Sequence, residues 1–119
     1  MNSKDTLTKA IKTIDDAMTM AHAKVLVKKS DIQTKKIANG VAQKINNAKN
    51  IREVNKIVKE GGKQWDVAME SYRKEMRNAI YGGISRDVKN YLEDSYDSLS
   101  RNYDVINSAY YKKKSEFKK

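Results

Sequence analysis

At 119 residues, with one histidine, no cysteine and no proline, the chain has the length of a single domain, and it excludes disulfides, thiolate chemistry and cysteine-ligated zinc. Hydrophobic residues at 39%, charged residues at 34% and a mean hydropathy of -0.84 leave no run long enough to span a membrane, while the periodicity below excludes simple disorder. The net charge of +10 is uneven: residues 30–62 carry +4, 84–111 carry -2 and 112–119 carry +4.

Ser3 or Thr6 is a candidate cap for a first helix over residues 4–28, in which Leu7, Ile11, Ile14, Met18, Ala21 and Val25 recur at heptad steps. Lys4, Asp5, Lys9, Lys12, Asp15 and Asp16 interrupt its apolar stretches, so no signal-peptide core is expected there. Ser30 followed by Gln33 has capping-box spacing and predicts a second helix over 31–48, presenting Ile37, Val41, Ile45 and Ala48, with Asn39-Gly40 as a candidate end or bend. Asn50 with Glu53 predicts a third helix over 51–60, carrying Ile51, Val54, Ile57 and Val58 and stopped by Gly61-Gly62. Trp65, Ala68, Met69, Tyr72, Met76, Ala79 and Ile80 share the face of a fourth helix over 64–81 that ends at Gly82-Gly83. Ser85 then caps a fifth helix over 86–116, with Asp87 at the positive end of its dipole.

The last segment holds the strongest pattern. Tyr96, Tyr103, Tyr110 and Phe117 repeat every seven residues, and so do Leu92, Leu99 and Ile106. Four rings, each burying about 150–250 Å², are too much apolar surface to leave in water. The fold expected is all-α: a small helical bundle in one domain over residues 1–119, with a long C-terminal heptad-patterned, coiled-coil-like helix.

No constellation of residues reads as catalytic, and no metal, cofactor or small-molecule substrate is expected. His22 has no second histidine to share a metal with. The neighbours Asp15-Asp16 and Glu93-Asp94 point about 100° apart on a helix, so neither pair converges on one proton. Gly61-Gly62-Lys63 lacks the first glycine and the hydroxyl residue of a phosphate loop, and Ser95, Ser98 and Ser100 have no base near in sequence. A helix-turn-helix around Asn39-Gly40 would put Lys36 and Asn46 at positions that are usually small or apolar.

Charge carries more. Lys24, Lys28, Lys29, Lys35, Lys36, Lys44, Lys49, Arg52, Lys56, Lys59 and Lys63 face only Asp31, Glu53 and Glu60 in the same stretch, and Lys112, Lys113 and Lys114 follow in the tail. Such a field attracts phosphate whatever the bases, and the excess of lysine over arginine favours backbone contact over base reading. The expectation is therefore a non-enzymatic basic protein, of the kind found among phage-like or bacterial accessory proteins, that contacts nucleic acid or a nucleoprotein through these side chains. The alternative is a protein-interaction module, self-assembling or inhibiting a host or defence complex. Its interface would be Leu92, Tyr96, Leu99, Tyr103, Ile106 and Tyr110. A cytoplasmic or virion-associated setting fits either.

Overall fold

A computed structural model describes residues 18–118. All regular structure among them is helical: α1 (Met20–Asn46), α2 (Ile51–Tyr81), α3 (Arg86–Ser100), a single 3₁₀ turn (Arg101–Tyr103) and α4 (Asp104–Phe117). The last three follow one another into a single rod, so the described chain forms three rods packed side by side. Cross-contacts give their sense. Tyr72 reaches Leu92, Trp65 meets Tyr103, and Lys113 reaches Asn46, so α2 runs antiparallel to both its neighbours.

α1 begins at Thr19, whose hydroxyl accepts the His22 amide at 3.2 Å, and then runs for 27 residues. Its start at Met20 interrupts the expected first helix over 4–28, of which residues 4–17 lie outside the described residues. The expected boundary at Ser30 is absent because the buried stripe Ala23, Leu26, Ser30, Thr34, Ala38, Val41 and Ile45 runs straight through it. Serine there is a small buried residue inside the helix, not its cap. The Thr34 hydroxyl returns to the Ser30 carbonyl at 2.8 Å, which satisfies it without leaving the helix. Asn39-Gly40 also lies within α1, so the turn of a helix-turn-helix does not form.

The expected break at Gly61-Gly62 is likewise replaced by one 31-residue helix, about 46 Å long. Gly61 is a packing residue: a Cβ built on it would lie 2.5 Å from Cγ2 of Val41. Its missing side chain is what lets α1 and α2 approach. The true end comes at Gly82-Gly83, where Gly83 takes φ +85°, a conformation that favours glycine.

The third rod buries Val88, Leu92, Ser95, Leu99, Ile106 and Ala109 against α1 and α2. It is not the single helix expected over 86–116, since the 3₁₀ turn interrupts it where Asn102 leans on α1. There one Asn102 amide nitrogen donates to Asp31 Oδ1 at 2.9 Å and to Thr34 Oγ1 at 3.0 Å. Among the described residues no buried side-chain nitrogen or oxygen is left without a partner. The polar node therefore fixes the register of the rods without an unsatisfied group.

A candidate polyanion-binding pole

The fold divides the sequence-predicted cations into two groups. Lys24, Lys28, Lys29, Lys35 and Lys36 stand exposed along α1, whereas Lys44, Lys49, Arg52, Lys56, Lys59, Lys63, Lys112, Lys113 and Lys114 gather around one end. That end is where α1 stops, α2 starts and α4 finishes. Lys113 marks the junction, its ammonium donating to the Asn46 carbonyl at 2.8 Å. Residues 40–63 carry +4 and residues 107–118 carry +3, so seven of the ten net charges lie at this pole.

Within the pole Arg52, Lys56, Lys59 and Lys63 are exposed and follow one another at helical steps on the first half of α2. At about 100° per residue they occupy one narrow arc, opposite the buried Val54, Gly61, Trp65 and Ala68, and form a straight ridge about 16 Å long. Glu60 is exposed beside the ridge, one turn from Lys56 and from Lys63. Glu53 is engaged at the helix start, where its Oε2 accepts the Lys49 amide at 3.2 Å while its own amide donates to Asn50 Oδ1 at 2.8 Å. Further along α2, Glu70 accepts from Arg73 at 2.9 Å and from Arg77 at 2.7 Å, and these two guanidinium groups hold its carboxyl below the ordinary range.

Lys112 and Lys114 flank the pole on α4, and the Lys114 ammonium lies 5.8 Å from the Tyr110 ring centroid. Lys113 differs from both: its side chain is only 15% exposed and also lies 3.6 Å from Glu116. It serves the end of α1 and has little reach into solvent. Sequence reasoning did not single out Tyr111, which is 66% exposed beside these lysines. It sits off the heptad, so the periodicity gave no signal for it.

The interface expected at Leu92, Tyr96, Leu99, Tyr103, Ile106 and Tyr110 is closed within the chain. Leu92, Leu99 and Ile106 are at most 1% exposed, and the three tyrosines are half-buried. Tyr96 is held by a 2.9 Å hydrogen bond from Arg73 and stacks on Tyr72, and Tyr103 packs edge-on against Trp65. Only Phe117 of the ring series is exposed. The intramolecular rods have taken the surface that a second chain would have needed.

Among the described residues there is no group of three His, Asp or Glu side chains placed to share a metal ion. None of the described helices is long and apolar enough to cross a membrane. No family model, curated protein or solved structure matches the chain.

Proposed function

We propose that this is a non-enzymatic nucleic-acid-binding protein that grips the phosphate backbone through its basic pole. The observation that supports the reading is the gathering at one end of the bundle of two basic stretches distant in sequence, one carrying the Arg52, Lys56, Lys59 and Lys63 ridge on α2 and the other carrying Lys112 and Lys114 on α4. A straight row of cations on a convex helix reaches a row of phosphates without reading bases, and lysine favours that mode. At 3.4 Å per base pair the ridge spans about five base pairs of one strand.

The test is fluorescence anisotropy with labelled DNA and RNA duplexes and single strands across a salt series. Each ridge cation engaged on duplex DNA contributes about 0.9 to the slope of log K against log salt, so replacing all four by glutamine lowers the slope by about 3 to 4. Absence of binding at low salt, or binding that survives the fourfold replacement with its slope unchanged, refutes the proposal.

A further inference from the structure

The outer face of α1 has a different character from the pole. Val25 is 67% exposed and Ile32 is 58% exposed, so the apolar heptad position of Val25 is not covered by the other helices. They lie two turns apart, about 10 Å, on the side of α1 opposite Ala23, Leu26, Ser30 and Thr34. A shallow depression lined by Val25, Lys28, Lys29 and Ile32 adjoins a second one that Met18, His22, Val25 and Lys29 line together with Glu75 of α2.

On α1 the charge beside the apolar pair is basic, and Glu75 of α2 stands at its N-terminal edge. Lys24, Lys28 and Lys35 run along one flank of the apolar pair, and Lys29 and Lys36 along the other. The sole acid of α1 is Asp31, which pairs with Lys35 of that flank at 2.9 Å and accepts from Asn102 at 2.9 Å, so Lys24, Lys28, Lys29 and Lys36 are the lysines left to a partner. Those two contacts hold its carboxyl below the ordinary range.

A phosphate backbone would satisfy the lysines and leave Val25 and Ile32 wet. An amphipathic helix answers both, because its apolar residues at heptad spacing cover the pair while glutamates on the two edges meet the two lysine rows. Residues 1–17 repeat an apolar heptad, but their three lysines and three aspartates cancel and give no acidic edges. A lipid surface would need far more apolar area than two side chains to hold a helix in its interface.

We propose that the outer face of α1, between Met18 and Lys36, is a docking surface for an acidic amphipathic helix of a partner protein. It is separate from the phosphate-binding pole and does not depend on that reading.

The experiment uses the full chain and a synthetic helix roughly three heptads long, with leucine at a and d and glutamate at e and g. Its binding is followed by anisotropy and by hydrogen exchange of α1. The glutamate peptide binds and protects residues 22–36, the same peptide with lysine at e and g binds at least about tenfold more weakly, and Val25→Glu with Ile32→Glu removes binding at unchanged helicity. Lys28→Glu with Lys29→Glu reverses the preference toward the lysine peptide, a rescue that a misfolded variant does not give. Fourfold replacement of the pole's ridge leaves the peptide affinity unchanged.

Three results overturn the proposal. The first is equal binding of both peptides. The second is stronger exchange of residues 22–36, with tighter peptide binding, when Leu7→Glu and Ile14→Glu are introduced, which identifies residues 1–17 as the occupant. The third is Val25- and Ile32-dependent binding to phosphatidylserine vesicles without any peptide preference, which identifies a membrane.

Discussion

Adjacent glycines in the middle of α2 provide the sharpest test of the packing, because substitution by alanine has opposite sign at the two positions. Glycine inside a helix costs about 0.5–1 kcal/mol relative to alanine, since the unfolded chain has more freedom to lose. At Gly62 the new methyl meets Oη of Tyr103 at 3.7 Å, an ordinary contact, so Gly62→Ala gains most of that amount. At Gly61 it would lie 2.5 Å from Cγ2, 3.0 Å from Cγ1 and 3.3 Å from Cβ of Val41, so three carbons of one side chain must move together. Valine in a helix has essentially one favoured χ1, and Val41 is only 4% exposed, so moving it aside means leaving its preferred rotamer within the core. Overpacking of this kind costs about 1–3 kcal/mol. Set against the helix gain, Gly61→Ala destabilises by about 0.5–2 kcal/mol. Thermal unfolding followed by circular dichroism resolves the pair, since about 1 kcal/mol shifts Tm by several degrees in a chain of this size. Had the pair ended a helix in left-handed geometry, alanine would be strained at one or both positions. A Gly61→Ala protein as stable as the parent, or a destabilised Gly62→Ala, refutes the close approach of α1 and α2.

Gly40 has nothing within 4 Å of a built Cβ, so Gly40→Ala raises stability by about 0.5–1 kcal/mol in the same assay. Tyr72 is 1% exposed and its hydroxyl donates to the Leu92 carbonyl at 2.6 Å, so Tyr72→Phe costs about 0.5–1.5 kcal/mol. Burial pushes the Tyr72 phenol above its ordinary pKa of 10.0, and nearby Tyr91 adds to the shift. The unfolded chain therefore releases this proton first as pH rises. Stability from Tyr72 is intact below about pH 10 and falls above it, and alkaline titration at 295 nm shows one tyrosine ionising only with unfolding. Asp31 works in the other direction: Lys35 first and Asn102 next hold its carboxyl low, so its contribution is present above about pH 4 and is lost as pH falls. The site is partly exposed, and Asp31→Asn removes only about 0.5 kcal/mol of stability at pH 7, with a smaller effect at pH 3.

What could be read from the chain alone followed from how local each cause is. The Asn50–Glu53 cap and the Gly82-Gly83 stop are decided within a few residues, and both appear in the folded chain. Ser30 and Gly61-Gly62 carry the same local signals, but there tertiary packing wins. At Ser30 a small side chain is buried within the α1 stripe, and at Gly61 an absent one serves Val41. Capping chemistry and close packing both select small residues, and at Gly61 the difference lies in a partner 20 residues away. The basic side chains of the candidate site were legible in composition but not in grouping. The lysines were visible as one basic stretch, whereas only the reversal between α1 and α2 separates those of the α1 face from those of the pole and brings Lys112–Lys114 to Asn46. The Leu92, Leu99 and Ile106 heptad was correctly apolar, but periodicity does not state whether the covering helix belongs to the same chain.

Lys113 shows why charge count and function have to be separated at this pole. Its ammonium caps the C-terminal end of α1 at Asn46, where the helix dipole favours a cation, and it lies 5.4 Å from the Phe117 ring centroid. A charge-assisted bond of this kind at a mostly covered position contributes about 1 kcal/mol. Lys113→Gln therefore lowers Tm by a few degrees and leaves the salt slope for nucleic acid nearly as it was. Lys112→Gln does the reverse, lowering the slope by about 0.9 where that side chain meets a phosphate and leaving Tm unchanged. If the two substitutions affect binding and stability alike, the tail is not seated on the end of α1 and the basic pole does not exist as a single surface.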